Sequence, residues 1–550
     1  MDAKHLIELG EELFGKKQSL NSLHQELAEN FYPERADFTV TRSLGDDFAS
    51  QLSTSFPVQC RRELGNDLGS MLRPKGKAWF HPKRRWEPKE SSDVRGWLEY
   101  FEKVQRKAMF ERRAQFARAT KEGDHDYAAI GQCAISAELN TERNGLLYRN
   151  WHIRDMAWKE NEEGAIGFIV RRWKPAAYEL RRMFGSKLAP KILTAADKNP
   201  FEEVDVRHLV VDADLYDDDA RGRPRWSIYY DMRSQKVIEA TPIWGRHYII
   251  PRWQTVSGSQ YSYSPATVCA LPDARLLQAM TYTLLEAAEK ATSPPMIATQ
   301  GAVRSDVAIY AGGITWVDTE YDERLGEALR PITQDFRGFQ FGVQQNQDVR
   351  GLLRRAFFLD QLTAMPPLGS PEMTAFEAGQ RVQEYIRNAL PIFEPTEDEY
   401  NGALCEESFE LLWRNGAMGP PENWPKELRQ QQGMRWGASD EVSFEFESPL
   451  HDLIEQQKGQ TFIESSKLIA AAVALDKGAA YVPNTVVALR DALAAIGAPA
   501  TWVNDQTQVD DAKAAAQQQA FAQQQLANLE QASNAVKNFG QAGDAVPSVA

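Results

Sequence analysis

The chain has 550 residues, with 63 lysines and arginines against 77 aspartates and glutamates, for a formal net charge of −14 at pH 7. That length exceeds a single small core and corresponds to about three or four folding units at the usual ~150 residues each. With 43% hydrophobic, 10% aromatic and 25% charged residues, the composition is that of a packed globular protein and excludes a largely disordered, collagen-like or disulfide-scaffold chain.

The first third reads as helices followed by strands. Lys4 to Asn30 places Leu6, Leu9, Leu13, Leu20, Leu23 and Leu27 at helical spacing, with charged residues between them. Asp46 to Leu72 repeats the habit, and Pro57 predicts a break into two pieces. From Ala134 the period shortens. Asn144-Gly145 between two apolar-rich runs predicts a tight hairpin, and a second strand pair is expected around the NEEG sequence. Further strands are expected over Val204 to Asp212, Arg225 to Tyr230 and His247 to Trp253, rich in Val, Ile, Tyr and Trp. Residues 1–262 therefore read as α+β.

The character then changes. Ser264-Pro265 supplies a cap and a proline for a short helix, which Pro272 would restart. Asp273 to Thr292 lacks glycine and proline and predicts a long helix ended by Ser293-Pro294-Pro295. Leu277, Met280, Leu284 and Ala288 form its apolar stripe. Met296 to Asp335 reads as a compact β-containing insert. A second helix is expected from Phe339 to Asp360, with Val349, Leu352, Leu353, Ala356 and Leu359 on one side and Gln347, Arg350 and Arg354 stacked on another.

Leu362 to Thr374 has three prolines and a glycine and reads as a constrained loop. Thr374 and Glu377 form a capping box for a long helix running toward Gly416, kinked by Pro391 and Pro395 and recapped by Thr396 with Glu399. Glu441 to Glu447 alternates as a strand, with Val442, Phe444 and Phe446 on its buried face. Ser448-Pro449 opens a further helix to about Gly478, and the last forty or so residues are Ala/Gln-rich with weak periodicity.

Motifs for chemistry are missing. There is no phosphate-binding GxxxxGK[ST], no HExxH, no GxSxG and no GxGxxG after a strand. The acidic group Asp212, Asp214, Asp217, Asp218 and Asp219 could attract a hard cation, but its spacing fails the EF-hand register and a solvated hairpin turn explains it as well. Cys60, Cys133, Cys269 and Cys405 are too scattered for a metal clip and read as free thiols in a reducing cytoplasm. No apolar run approaches the ~20 residues of a bilayer span, and no secretory signal is expected at the start. The basic-aromatic stretch RPKGKAWFHPKRRWEPK from Arg73 to Lys89 could grip phosphates and stack bases. Its plainer explanation is an anchored loop whose aromatic residues fill a core.

The order of these pieces resembles the portal, or head-to-tail connector, family of short-tailed bacteriophages. The resemblance is carried by YSYSPATVCALPDARLLQAMTYTLLEAAEKATSPPMI, then GGITWVDTEYDE, LLRRAFFLDQL and MTAFEAGQRVQEYIRNALPIFEPTEDEY, with RPKGKAWF, NTERNGLLYRN and ALRDALAAIGAPATWVNDQTQV flanking them. It implies a non-enzymatic virion protein without cofactor or metal, made in the host cytoplasm. Such a protein forms a ring, usually of twelve subunits, at one capsid vertex, and duplex DNA passes through its bore. The implied partners are the terminase large subunit, the major capsid and scaffolding proteins and a tail adaptor, with no membrane.

The resemblance further implies an N-terminal wing region over 1–262, stem helices over 263–292 and 336–361, and a clip over 293–335. It places a tunnel loop at 362–374, a kinked wing helix and strand over 375–449, and a crown with a C-terminal extension over 450–550. The tunnel loop would bring the uncharged Met365, Pro366, Pro367, Leu368, Gly369 and Ser370 against DNA, or be a buried connection. Gln347, Arg350 and Arg354 are candidates for the channel wall, or for ion pairs between neighbouring stems. Leu277, Met280, Leu284 and Ala288 are candidates for subunit packing. Two other classes stay open: a virion or tail protein with no DNA conduit, and a metal-dependent nuclease using the Asp212 to Asp219 carboxylates.

Overall fold

The computed structural model describes residues 1–85, 92–298, 329–331, 337–360, 396–429 and 442–446, apart from 44, 218, 219 and 221, together with scattered residues from 462 onward. The chain divides into two compact units, Met1–Trp86 with Tyr100–His451, and Glu87–Glu99 with Asp452–Ala550.

The first unit opens with α1 (Ala3–Lys16) and α2 (Gln18–Phe31). Where the leucine spacing predicts one helix, the chain turns at Lys17. The buried ammonium donates to the carbonyl oxygens of Ile153 (2.6 Å) and Met156 (2.8 Å). α3 is shorter than expected, Phe56–Leu72, because residues 46–55 are turns and bends. Pro57 lies in its first turn, where a missing N–H costs nothing, so it starts this helix instead of splitting one. At β1 (Phe80–Arg84), Trp79 and Phe80 are fully buried, as the plainer explanation of the basic-aromatic stretch expects, while Trp86 to Lys89 lie outside the described residues. Two helices that leucine periodicity did not single out follow, α4 (Ser92–Met109) and α5 (Phe116–Ile130).

β2 (Ala134–Leu139) and β3 (Leu146–Trp151) form the expected hairpin, with Leu139 opposite Leu146. The connection is the six residues 140–145, not a two-residue Asn-Gly turn, and Arg143 takes the positive φ of 55°. β4 (Met156–Glu160) and β5 (Ile166–Trp173) turn at the NEEG sequence as predicted. The helices α6 (Ala177–Phe184) and α7 (Pro190–Lys198) precede β6 (Val206–Asp212). After the single turn α8 (Ala213–Tyr216) come β7 (Arg225–Asp231), β8 (Lys236–Ile243) and the two-residue β9 (Tyr248–Ile249), which is all that forms of the strand expected over 247–253.

β4 to β8 make one five-stranded antiparallel meander, and β9 joins the hairpin in the order β3-β2-β9. α1 lies on the meander, burying Leu6, Ile7 and Phe14 among Val170, Leu209, Val211 and Ile228. Gly10 makes that approach possible, since a Cβ there would stand 3.1 Å from the Val170 methyl.

Beyond these lie α9 (Leu271–Thr292), the short strands β10 (Met296–Ala298) and β11 (Leu329–Pro331), α10 (Arg337–Ala356), α11 (Ala403–Arg414) and β12 (Val442–Phe446). β12 pairs with β1, Phe80 opposite Phe446, so the end of the first unit is stitched to its beginning. Of its three expected buried residues only Val442 is fully covered. Residues 92–99 of α4 belong to the second unit, and the described residues after 461 are helical.

Among the described residues, no helix is long and apolar enough to cross a membrane. Cys60, Cys133 and Cys405 are buried free thiols and Cys269 is exposed.

Candidate functional site

The candidate site is the pair of long helices and the frame that roots it. Ser264 opens the segment as its sequence predicts: its hydroxyl accepts from the Thr267 peptide N–H (3.1 Å) and donates to the Ala129 carbonyl (2.8 Å). A wide helical turn over Ala266–Ala270 feeds α9, whose first turn contains Pro272. α9 is 22 residues long, about 33 Å at 1.5 Å per residue. Ser293 ends it before the two prolines.

The chain leaves α9 through β10 and returns through β11, which pair antiparallel with Met296 opposite Pro331. α10 then runs back along α9. Asn346 Nδ2 donates to Thr281 Oγ1 (3.1 Å), and Gly342 sits so near Leu284 that a Cβ there would be 3.0 Å from its methyl. The order of these contacts, 281 with 346 and 284 with 342, makes the helices antiparallel.

This pairing changes the expected use of the faces. The stripe of Leu277, Met280, Leu284 and Ala288 was the candidate subunit surface. Leu277 is fully buried, Met280, Leu284 and Ala288 are half-buried, and Leu284 meets α10 of the same chain. The apolar side chains left to solvent are different ones: Tyr282 is 62% exposed, Leu285 57% and Phe341 71%. On α10, Val349 and Leu353 are buried as expected while Leu352 is exposed.

The bases of both helices are fastened to α2, to α3 and to the turns that precede α3. Gln278 of α9 accepts from the peptide N–H groups of Ser53 (2.8 Å) and Thr54 (3.0 Å), and Arg275 pairs with Glu26. Past α10, the buried Phe357 packs on Phe31 with ring centroids 5.4 Å apart.

Of the three channel-wall candidates, Gln347 is exposed. Arg350 lies over the Phe56 ring at 5.3 Å. Arg354 is engaged within its own chain, donating to Asp360 (2.9 Å) with Glu63 at 3.8 Å, and the Asp360 hydrogen bond holds its guanidinium pKa above the ordinary value. Met365, Pro366, Pro367, Leu368, Gly369 and Ser370 lie outside the described residues, as do the Thr374–Glu377 box and the kink at Pro391 and Pro395.

From Thr396 a wide helical turn runs to Gly402 and leads into α11. A buried network that no sequence spacing announces fixes this turn. Arg73, just past α3, pairs with Asp124 of α5, donates to Asn401 Oδ1 (2.7 Å) and lies over the Tyr400 ring at 4.6 Å. Burial pushes the Asp124 carboxyl up from its usual range, and Arg73 opposes the rise.

Glu407 of α11 is likewise buried, which raises its pKa. It accepts from the peptide N–H groups of Arg246 (2.6 Å) and His247 (3.1 Å). Gly245 is required beside it because any Cβ would overlap the Glu407 carboxylate. At the far end of the meander, Asp212 pairs with Arg225 (3.2 Å), and among the described residues no group of three or more His, Cys, Asp or Glu side chains is placed to hold a metal ion.

Comparison with known proteins shows the family. Residues 3–503 match the family described as bacteriophage head to tail connecting protein. The chain belongs to that family. It is 22% identical to the probable portal protein of Bordetella phage BPP-1 over 437 residues, 78% of this chain and 77% of that one. It is 21% identical to the portal protein of Salmonella phage epsilon15 over 307 residues, 54% of each. A chain from the virion of a native gene transfer agent particle aligns over 81% of this connector and 91% of its own length, at 9% identity and a TM-score of 0.33. Family membership places the connector in the virion, between head and tail.

Proposed function

We propose that this connector is the portal subunit: a ring, usually of twelve copies, at one capsid vertex, through whose bore duplex DNA is packaged and later ejected. The observation that carries the reading is the family match over residues 3–503, joined to a helix hairpin with uncovered Tyr282, Leu285 and Phe341. Large apolar side chains exposed on helices are normal for a subunit contact and costly for a monomer. The stem is then α9 and α10, the clip the insert between them, the wing the sheets with α1 to α7, and 450–550 the crown and extension. The terminase large subunit and tail adaptor would dock on the ring, with the major capsid and scaffolding proteins around it.

Charge supports a conduit. A wall that neutralised many phosphates would hold DNA by counterion release, whereas a chain of net charge −14, multiplied around a ring, repels the polymer and lets it slide. Rotational classification of electron micrographs of the purified protein tests this directly. The expected result is a closed ring with an open bore wider than B-form DNA. A monomer at all concentrations, or a plugged oligomer, overturns it.

The portal reading assigns no catalysis. Incubation with duplex DNA and Mg²⁺ is expected to leave the DNA intact, and Asp214→Ala to change nothing. Magnesium-dependent cleavage lost in that variant would favour the nuclease alternative.

A further inference from the structure

Two consecutive residues, Arg252 and Trp253, touch both the segment that follows α10 and the turn that leads into α11. After α10, Phe358 has a φ of 57°. That left-handed conformation commonly closes a helix, but with glycine; for a bulky aromatic residue it is an outlier. Phe357 and Leu359 on either side are fully buried, and the Phe358 ring stacks on Trp253, with centroids 6.4 Å apart and planes 16° from parallel. Trp253 is itself fixed. Its peptide N–H donates to the Gly131 carbonyl (2.8 Å), and its ring packs on the buried Tyr127 at 5.0 Å.

In the turn before α11, Glu399 is held by Arg252. The Arg252 peptide N–H (2.9 Å) and Nε (3.2 Å) donate to Oε2, Nη2 donates to Oε1 (3.0 Å), and Nη1 reaches Glu160 of β4. Glu399, expected as the capping partner of Thr396, is thus also tied to Arg252.

We infer that Arg252 and Trp253 form a positioning crosspiece that ties Phe358, just after α10, to Glu399, in the turn that leads into α11, the two described segments that flank residues 361–395 in sequence. The two grips sit on adjacent residues, whose Cα atoms are about 3.8 Å apart, so a shift of the backbone at one is felt at the other. An aromatic residue at an αL position makes sense on this basis: glycine would relax the backbone and lose the stack. The functional consequence rests on the reading of 362–374 as the tunnel loop, because a loop that meets passing DNA transmits force to its two roots.

The test is amide hydrogen exchange on the assembled full-length protein, paired with the amount of DNA retained per particle. Trp253→Ala is expected to speed exchange at residues 357–360 on the order of tenfold, as loss of an aromatic pair allows local opening. Trp253→Phe should stay near wild type. Glu399→Gln should speed exchange over 396–402, and none of the three should alter the five-stranded meander. DNA retention should fall in Trp253→Ala and recover in Trp253→Phe.

If Trp253→Ala yields no folded protein, Trp253→Leu keeps the bulk without the ring. Unchanged exchange at the roots, or equal loosening of the meander, overturns the crosspiece. Loosened roots with normal DNA retention also overturn it, provided that deleting Pro366 to Ser370 lowers retention. If that deletion is itself harmless, the tunnel-loop reading fails and the exchange result alone decides the crosspiece.

Discussion

Lys17 shows how a single residue shapes the first unit. Its ammonium is enclosed by carbonyls and lies 5.3 Å from the Trp158 ring and 5.4 Å from that of Tyr261, and burial lowers its pKa to about 7. Below that pH the lysine is charged in both folded and unfolded chains. Between about 7 and about 10.4 only the unfolded chain keeps the proton, so folding stability rises with pH across this window. Urea melts at about pH 6 and about pH 9 should show Lys17→Met losing on the order of 2 kcal/mol of the wild-type rise. A similar rise in both proteins would show that Lys17 is not its source.

The Arg73–Asp124 pair is the opposite case, a buried charge with a buried partner. Arg73→Ala should cost about 3–5 kcal/mol by stranding the carboxylate, while Arg73→Met with Asp124→Leu should cost much less. Equal losses in the single and double variants would mean that Asn401 and Tyr400, not the ion pair, are what Arg73 holds.

At the scale of elements, the helix pair revises where ring contacts should be sought. Tyr282→Asp with Leu285→Asp should leave helicity and melting nearly unchanged and reduce oligomer size by light scattering. Leu284→Asp should instead lower the stability of the chain itself, because Leu284 faces α10. Gly342→Leu should wedge the helices apart at about 1–3 kcal/mol, readable in the same melts. Oligomers of normal size from the Tyr282 and Leu285 variant would return the contact to another surface.

α9, the Ser264 cap and β6 were legible because period and punctuation are local properties. The division of faces was not. Period 3.6 groups Leu277 with Leu284 but cannot say whether the neighbour is α10 of the same chain or a sister molecule. α4 and α5 escaped because charged and small residues dilute their apolar spacing. Pro57 was misread because a proline that breaks a helix and one that begins it look alike until the preceding residues are known to be turns.

For the whole molecule, the family could be read from the order of pieces, whereas the ties that fix the frame could not. Arg73 finds Asn401 across 328 positions, and Glu407 finds the Arg246 N–H across 161. No spacing rule reaches that far. Deleting Pro366 to Ser370 should leave ring assembly intact and reduce DNA retained per particle, measured by genome quantitation after nuclease treatment. Failure to assemble would mark the loop as architectural.

Because Ala298 and Leu329 are held opposite each other, the chain ends up beside its own starting point before α10 begins, and the strand pair acts as a clasp that backs up the alignment of α9 with α10. A change of length or sequence confined to 299–328 should therefore leave that alignment, and the melting of the first unit, nearly untouched.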